Sequence, residues 1–477
     1  MQYWASMIYE NKSKKEIDQA LLPIPADKRL YGRLTFTWMM FSMNVCIPLF
    51  FLGSIGYSLG LNALEIALGA FLGNLATAIV LLLNGLPGVK YGIPYPIQLR
   101  ASWGSRGALI PVVLRGIVGA GWYGIEVYNG SLAMLMVALY ILSYGGRNPE
   151  TIVSASFKYV VIVVALYVVF ATVIMAKGLK TVARFINLTG PMLLLYFIWL
   201  TIYLSGYTSS PMAPAGKGIF SKEFAVYLAV QTNFWATMCL NISDLARGLY
   251  ADRRGVEALL IGPMIGIVLT SVVASLLGYY MVLFTGYSTP QEIILYMAPG
   301  MISIILGQVF AFIAPFSTDI TANIPALMNI FTAGFKLKWG IAAAIAGVIG
   351  FVLAPWWAVE RGPDIVNYVA AFTANYGIIL GPIAGIMLSD YYIVKKRNYD
   401  VEKLYSDDND DIRHHRYSYA AIMSYVISIV IIYVFSYVIG DIVKLGPLVF
   451  PTNLSWYLGV MVTFILYPIM VKVFKEG

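Results

Sequence analysis

The first long apolar stretch of the chain, residues 35–58, is interrupted by Ser42-Met43-Asn44-Val45-Cys46-Ile47-Pro48. Proline lacks a backbone N–H and disrupts the helical turn that precedes it, and Asn44 places a polar side chain just upstream. Unwound backbone is tolerated at membrane depth only where it is buried in protein or lines a cavity. This stretch therefore predicts a membrane-spanning helix that is broken at a binding site.

A second interruption lies in the middle of the sixth apolar segment, where the sequence reads Gln231-Thr232-Asn233-Phe234-Trp235-Ala236-Thr237. The two breaks occupy corresponding positions if the chain consists of five helices plus five, followed by two more. Interrupted segments at matching positions of two halves are the best sequence indication of an inverted-repeat transporter site. The alternative interpretation is that both breaks are kinks that serve only helix packing.

The composition of the chain supports placing these segments in a lipid bilayer. Of its 477 residues, 59% are hydrophobic and 12% are charged, whereas soluble domains have about 25% charged residues. A spanning helix needs roughly 20 mostly apolar residues, and about twelve segments of that kind are found. They lie at residues 35–58, 62–84, 108–142, 157–176, 185–206, 223–243, 256–285, 300–332, 338–355, 364–388, 418–439 and 455–471.

The distribution of basic residues predicts the orientation of these segments. If the N-terminus is cytoplasmic, the cytoplasmic loops hold about 25 of the 32 Lys and Arg residues, as the positive-inside rule requires. We therefore expect a multi-pass protein of the plasma membrane with both termini in the cytoplasm. The net charge of +8 then has a topological explanation, and nucleic acid is not expected as a partner. No cleavable signal peptide is visible, because the first apolar run begins too late and is too long.

The predicted spans divide the chain into five parts. These are a cytoplasmic N-terminal segment, a first inverted repeat with helices 1–5, a second with helices 6–10, a charged cytoplasmic loop, and helices 11–12 with a short tail. The corresponding residues are 1–33, 34–206, 207–390, 391–417 and 418–477. The charged loop is interpreted as a solvated connector.

Few residues are available for covalent or metal chemistry. The two cysteines, Cys46 and Cys239, lie inside apolar runs, and the only histidines, His414 and His415, are adjacent in the charged loop. They cannot form a disulfide framework or a cysteine-rich metal site. A glycine-rich phosphate-binding loop with a lysine is absent from the sequence, so ATP-driven pumping is unsupported. We expect no enzymatic activity, no cofactor and no obligate protein partner.

The third apolar segment carries a candidate ligand-binding face. Trp122 and Glu126 are four residues apart and therefore lie on one face of a helix, and Asn129 continues that face. An ionisable group at this depth costs about 2.5–3.5 kcal/mol on insertion scales and indicates a functional site. A planar indole beside a carboxyl group suits a flat, hydrogen-bonding ligand. The alternative is a Trp of the interfacial aromatic belt together with a Glu that forms an internal salt bridge, for example with Arg115.

The eighth apolar segment carries a candidate cation site. Ala314, Ser317 and Thr318 are spaced so that one carbonyl and two hydroxyl oxygens can converge on one side of the helix. Sodium is bound by small cages of oxygen atoms, to which broken helices contribute carbonyl groups. Asp319 and Asn323 form a second pair, four residues apart, on a neighbouring face. The alternative is that the hydroxyl groups serve only packing between helices.

The sequence that leads into the third segment is the most specific motif of the chain. It reads Tyr91-Gly92-Ile93-Pro94-Tyr95-Pro96-Ile97-Gln98-Leu99-Arg100-Ala101-Ser102-Trp103-Gly104, followed by Arg106-Gly107-Ala108 and Ile110-Pro111. This run resembles the nucleobase:cation symporter family 1. The resemblance continues in Leu114-Arg115, Gly121-Trp122-Tyr123-Gly124, Phe234-Trp235-Ala236-Thr237, Leu240-Asn241-Ile242-Ser243-Asp244, Gly381-Pro382-Ile383-Ala384-Gly385-Ile386-Met387 and Ser389-Asp390-Tyr391-Tyr392.

The resemblance implies an all-α membrane protein with a leucine-transporter-type fold of two inverted five-helix repeats plus two helices. Family members move nucleobases, hydantoins, allantoin or related vitamins with sodium or protons. Carried over by position, Trp122 stacks on the substrate ring, Trp235 stands near its other side, and Asn323 bonds its edge. The implied cation ligands are Ala314, Ser317 and Thr318, with backbone carbonyls between Met40 and Asn44, including that of Met43. Asn44 is also the expected polar contact of the first helix with the substrate.

Three positions depart from the family pattern. Glu126 stands where Gln is common, Asp319 stands where Asn is common, and Phe234 replaces a smaller residue of several relatives. An ionised carboxylate only accepts hydrogen bonds, so Glu126 favours a ligand edge rich in N–H donors, such as an amino-purine, cytosine or a cationic vitamin. Glu126 and Asp319 are also candidates to carry a coupling proton, because intramembrane carboxyl groups form proton relays.

Together these features predict symport of a flat N-heterocycle with Na⁺ or H⁺ by alternating access. The bound molecule is a purine, cytosine, uracil, hydantoin, allantoin or a vitamin. The alternatives are a proton-coupled carrier of a cationic heterocycle such as thiamine, a channel, and a membrane sensor that binds its ligand without moving it. The ion, its stoichiometry, the heterocycle and the oligomeric state are left open.

Overall fold

The structure is a bundle of helices. The computed structural model describes residues 21–143, 148–177, 179–206, 213–359, 362–405, 416–435 and 454–476. Every regular element within these ranges is helical. Residues 1–20 of the predicted N-terminal segment and residues 406–415 of the predicted charged loop, with His414 and His415, lie outside the described part. The end of the predicted eleventh span lies outside it as well.

The helices are numbered in chain order. They are α1 Arg33–Asn44, α2 Ile47–Ser58, α3 Ala63–Tyr91, α4 Tyr95–Trp103, α5 Leu109–Leu142, α6 Pro149–Ala176, α7 Leu179–Leu204, α8 Lys222–Ala236, α9 Met238–Asn241, α10 Ser243–Ala246, α11 Arg253–Thr285, α12 Pro290–Met297, α13 Gly300–Gly334, α14 Trp339–Leu353, α15 Gly362–Asn375, α16 Gly377–Ser389, α17 Val401–Tyr405, α18 Tyr419–Tyr433 and α19 Ser455–Phe474.

The described helices coincide with the predicted spans. Among the described residues, eight stretches are long and apolar enough to cross a membrane, and the pair α1–α2, bent by 56°, makes a ninth if it is counted as one span. The other three predicted segments correspond to α7, to the series α8–α10, and to α18. The prediction of a polytopic all-α membrane protein is therefore confirmed.

The two predicted interruptions have different outcomes in the structure. Helix α1 ends at Asn44 and α2 begins at Ile47, with Pro48 in the first turn of α2. Cys46, between the two helices, is extended at φ −129° and ψ 164°. In the sixth span, α8 ends at Ala236 and is followed by two four-residue helices, while the linking residues Thr237 and Ile242 keep right-handed helical angles. The sequence therefore predicted the position of the first break, beside Pro48, whereas Gln231–Ala236 of the predicted second break are helical.

Small residues bring the broken helix α1–α2 close to its neighbour α11. A Cβ atom added at Gly53 would collide with the backbone carbonyl of Ser275, and one added at Gly278 would collide with that of Phe50. In membranes, where lipid tails are as apolar as leucine, helices associate through close contacts of this kind. The second half of the broken span is thereby held in place beside the binding region.

Both ends of the described chain lie on one face of the bundle, which we call the terminal face. The hydroxyl of Tyr405 donates to the carbonyl of Leu21 at 2.7 Å. At the other end of the chain, Glu476 accepts a hydrogen bond from the hydroxyl of Ser418 at 2.6 Å. The backbone N–H of Ser418 also donates to the carbonyl of Trp103 of α4 at 2.9 Å. The terminal face therefore comprises α4, α17, the start of α18 and the end of α19.

Candidate functional site

Trp122 lies in an aromatic cluster formed by three different spans. Its ring packs edge to face against Phe234 of α8 at 4.9 Å and Phe372 of α15 at 5.6 Å between centroids. Its indole N–H donates to the hydroxyl of Tyr376 at 3.1 Å. The structure thus brings Trp122 and Phe234 together. It adds Phe372 and Tyr376, which sequence reasoning missed because neither interrupts its apolar segment.

Asn233 is a second residue of this region that sequence reasoning did not assign. Its backbone carbonyl accepts a hydrogen bond from Tyr376. Its side chain is fully buried against Gly377, and neither amide atom has a partner among the described residues. An unpaired buried amide costs about 1–3 kcal/mol per polar group. Both amide atoms are therefore left unsatisfied by the described residues, and the place of Asn233 in the polar run 231–237 was the signal.

Asn44 joins the break in the first span to the sixth and seventh spans. Its amide oxygen accepts a hydrogen bond from the indole of Trp235 at 2.7 Å. Its amide nitrogen donates to the carbonyl of Ile267 at 3.1 Å and the hydroxyl of Ser271 at 3.0 Å. Asn44 and Trp235 are therefore bonded to each other, and the break is held by side-chain bonds where backbone bonds are missing.

Two carboxyl groups lie between the third and eighth spans. Asp319 accepts hydrogen bonds from the hydroxyl of Tyr167 at 2.8 Å and from the amide of Asn323 at 3.0 Å. Glu126 is close enough to Asp319 for their charges to interact. One oxygen of Glu126 is buried without a partner among the described residues. Glu126 therefore retains an acceptor that the protein does not use.

The backbone around Asp319 and Asn323 is distorted. Residues Asp319–Asn323 form a π-helical turn within α13, and such turns occur frequently at functional sites. Pro325 has no N–H to bond the carbonyl of Thr321, four residues before it, so a regular helix cannot continue here. The wider turn places both side chains on the inner side of the span, where each is buried.

The residues predicted to bind a cation are adjacent in the structure. The hydroxyl of Thr318 donates to the carbonyl of Met43 at 2.9 Å and to that of Ala314 at 3.3 Å. Ser317 is fully buried, and its hydroxyl has no partner among the described residues. Met40, one turn before Met43, is fully buried as well. Two carbonyl oxygens and one hydroxyl thus converge from α1 and α13, and the neighbouring hydroxyl of Ser317 is unsatisfied.

Arg115 does not pair with Glu126, so the salt bridge considered as an alternative is wrong. The two residues are 11 positions apart on α5, which places them about 16 Å apart along the helix. The guanidinium of Arg115 instead donates to the carbonyl of Thr237 at 3.0 Å and to the side chain of Asn241 at 2.9 Å. Glu126 is consequently not neutralised by the only arginine of its own helix.

A polar network separates this region from the terminal face. Besides the bond from Arg115 to Asn241, it includes Asp244, which accepts from the backbone N–H of Tyr95 at 2.8 Å and from Asn329 at 2.9 Å. These bonds connect α4, α5, α9, α10 and α13. We call this set of bonds the Arg115–Asp244 network. It connects these five helices between the site and the terminal face.

Comparisons with known proteins agree with this arrangement. Residues 23–459 match the family described as permease for cytosine/purines, uracil, thiamine, allantoin. The chain is 26% identical to an allantoin permease of Bacillus subtilis, over 97% of this chain and 95% of that protein. It is 27% identical to a purine-uracil permease of Arabidopsis thaliana, over 81% of this chain and 65% of that protein.

The fold is also that of a solved transporter. Mhp1, a nucleobase-cation-symport-1 family transporter in a closed conformation with bromovinylhydantoin bound, superimposes with a TM-score of 0.78 at 19% identity. The match covers 97% of this chain and 98% of that one. The fold and family named from the sequence motifs are thus both confirmed. The chain belongs to the family of permeases for cytosine/purines, uracil, thiamine and allantoin, and it is a membrane transporter, not an enzyme.

Proposed function

We propose that this protein imports a flat nitrogen heterocycle with an edge rich in N–H donors, by symport with sodium. The observation that carries the proposal is the unpaired, buried carboxyl oxygen of Glu126 beside the aromatic cluster of Trp122. Asn323 donates its amide nitrogen to Asp319, so that its oxygen is the atom offered to a ligand. The carboxyl oxygen of Glu126 and the amide oxygen of Asn323 are both hydrogen-bond acceptors, so they favour a substrate edge that carries N–H donors.

Relatives with related names support the class of substrate. They include an allantoin permease, a purine-uracil permease and a hydantoin permease. Allantoin, purines and hydantoins are small nitrogen heterocycles with ring N–H groups. In the proposed complex, Trp122 and Trp235 flank the substrate ring, and Phe234 narrows the site. The edge of the ring forms hydrogen bonds with Glu126, Asn323 and the unpaired amide of Asn233. Asn44 positions Trp235.

Sodium is the proposed coupling ion, and it is itself a co-transported substrate. The carbonyls of Ala314 and Met43, with the hydroxyls of Ser317 and Thr318, supply neutral oxygen atoms, which sodium requires. Met40 is the proposed source of one further carbonyl. Because these groups belong to α1 and α13, bound sodium would join the broken helix to the eighth span. By linkage, sodium and substrate must then raise each other's affinity by the same factor.

The proposed cycle is alternating access in the plasma membrane, with the terminal face in the cytoplasm. Substrate and sodium enter from outside while the Arg115–Asp244 network keeps the cytoplasmic side closed. The aromatic cluster of Trp122, Phe234, Phe372 and Tyr376 then encloses the substrate. Separation of the network opens the path to the cytoplasm, where the lower sodium concentration releases the ion first.

Binding and flux measurements on the purified chain test the proposal. Quenching of tryptophan fluorescence by allantoin, hydantoin, uracil, cytosine, adenine and thiamine is titrated with and without sodium at two pH values. We expect one donor-rich compound to bind, and its affinity to rise with sodium. Ser317→Ala should abolish the sodium effect but leave sodium-free affinity unchanged. Ser428→Ala, which removes a buried unpartnered hydroxyl in α18, is the matched control.

Each remaining outcome contradicts a stated part of the proposal. Binding that ignores sodium but changes with pH would reject sodium and assign coupling to Glu126 or Asp319. The absence of quenching by all six compounds would reject the substrate class. Uptake into proteoliposomes separates a carrier from a sensor, because a sensor would bind the compound without accumulating it under a sodium gradient.

A further inference from the structure

Tyr376 lies at the junction of the two helices that form the tenth span. It is the single residue between α15, which ends at Asn375, and α16, which begins at Gly377. Its backbone angles, φ −88° and ψ −4°, fall in the bridge region that many active-site residues adopt. Its side chain is buried inside the bundle. The tenth span therefore places one enclosed tyrosine at a local irregularity of its helix.

The hydroxyl of Tyr376 bonds two other spans at once. It accepts a hydrogen bond from the indole N–H of Trp122 in α5 at 3.1 Å, and it donates to the backbone carbonyl of Asn233 in α8. An indole N–H can only donate and a carbonyl can only accept, so the direction of both bonds is fixed. One directed chain of hydrogen bonds thus joins the third, tenth and sixth spans.

The residue after Tyr376 strengthens the attachment to Asn233. A Cβ atom added at Gly377 would lie 2.6 Å from the side-chain oxygen of Asn233. Because glycine has no such atom, the start of α16 approaches the sixth span closely. Tyr376 and Gly377 therefore contact the backbone and the side chain of the same residue. This attachment gives the hydroxyl of Tyr376 a fixed point from which it holds Trp122.

The hydrogen bond adds an orientation that ring packing does not supply. Phe372 packs against both Trp122 and Tyr376, with centroids 5.6 and 5.3 Å apart. Burial of apolar surface is non-directional, whereas a hydrogen bond requires alignment of donor and acceptor. The bond to Tyr376 therefore determines where the N–H edge of the indole points. With that N–H occupied, Trp122 presents only its apolar ring to a ligand.

We propose that Tyr376 is a positioning residue of the substrate site, which holds the indole of Trp122 in the orientation that stacks on the substrate. This role rests on the proposed function, in which Trp122 flanks the substrate ring. Because Tyr376 occupies the indole N–H, Trp122 offers the substrate no donor of its own. Hydrogen bonds to the substrate are then left to Glu126, Asn323 and Asn233.

A double-mutant cycle on the purified full-length chain separates this role from a general structural one. Isothermal titration calorimetry measures the affinity of Tyr376→Phe, Trp122→Phe and the double variant for the compound that binds the unmodified chain. Tyr376→Phe leaves the indole N–H buried without its acceptor, so affinity should fall roughly 5- to 150-fold. In the Trp122→Phe background, which lacks that N–H, the same substitution should change affinity less than about twofold.

A measurement without ligand tests the bond itself. The emission of a tryptophan depends on the hydrogen bond of its indole N–H, so Tyr376→Phe should shift the tryptophan emission of the ligand-free chain. The same substitution in the Trp122→Phe background should leave the emission unchanged. If no compound binds the unmodified chain, the proposed substrate class is wrong, and the emission comparison still decides whether Tyr376 holds the indole of Trp122.

Tyr392→Phe is the matched control near the other end of the same span, because the hydroxyl of Tyr392 also donates to a backbone carbonyl, that of Leu83, at 2.9 Å. This variant should keep the affinity and the emission of the unmodified chain. Equal losses of affinity from Tyr376→Phe with and without Trp122 would overturn the proposal, because the hydroxyl would then act independently of the indole. Unchanged affinity or unchanged emission in the single variant Tyr376→Phe would overturn it as well.

Discussion

At the scale of single residues, the two departures from the family pattern act together. Asp319 accepts from both Tyr167 and Asn323, so its carboxyl group is occupied by protein donors. The amide of Asn323 is thereby oriented, and Glu126 keeps an oxygen without a described partner. Asp319 thus has a positioning role in the structure, whereas Glu126 has an unused acceptor. This division of roles was not visible in the sequence, where both were candidates for proton coupling.

The proposed role of Glu126 predicts the effect of Glu126→Gln. A hydrogen bond to a charged group contributes about 1.5–3 kcal/mol, so affinity for a donor-rich substrate should fall roughly 10- to 100-fold. Ligands with an acceptor on the same edge should lose less affinity, because the new amide can donate. Fluorescence titration of the purified variant measures both effects. Equal losses of affinity for both kinds of ligand would contradict direct contact between Glu126 and the ligand. Glu402→Gln is the control, because Glu402 is exposed.

At the scale of elements, the broken helices depend on close contacts with unbroken ones. The pair α1–α2 has lost backbone bonds at its bend, so its second half is positioned by packing against α11. Gly53 lies where any Cβ atom would also meet the backbone nitrogen of Tyr279, at 2.5 Å. Backbone atoms cannot move aside as the end of a flexible side chain can. The contact between these two helices is therefore intolerant of even one methyl group.

Gly53→Ala should accordingly destabilise the protein. Overpacking of this kind typically costs about 1–3 kcal/mol, and we expect a lower apparent temperature of thermal unfolding in detergent. Gly340→Ala is the matched control, because a Cβ atom at Gly340 of α14 meets nothing within 4 Å. That variant should unfold at the original temperature or slightly higher, since alanine favours helix over glycine. Equal behaviour of the two variants would disprove the close contact of α2 with α11.

At the scale of the whole molecule, polar bonds close the bundle at one end. The Arg115–Asp244 network and the bonds of Tyr405 and Glu476 all belong to the terminal half of the structure. Lys475 of the C-terminal segment is exposed at this face, whereas Lys217 is exposed beside Glu65 at the opposite end of α3. From the positive-inside rule we expect the terminal face to lie in the cytoplasm.

This orientation predicts which introduced cysteines react in intact cells. The two native cysteines are buried and provide a low background. With a membrane-impermeant maleimide, Lys217→Cys should be labelled in intact cells, and Lys475→Cys only after permeabilisation. Labelling in the reverse order would show that the terminal face is extracellular, and would invert the direction of the proposed transport cycle.

The sequence by itself determined the spans and the break at Pro48, and it proposed chemical groups for the site. Apolar length and basic-residue distribution are local properties, and Pro48 acts on the backbone next to it. The tertiary structure alone decided the partners. Tyr376 bonds Trp122 across 254 positions and Tyr167 bonds Asp319 across 152, while Arg115 faces Asn241 and not Glu126. Such pairs depend on which helix faces meet, and that is set by packing of the whole bundle, which no single segment encodes.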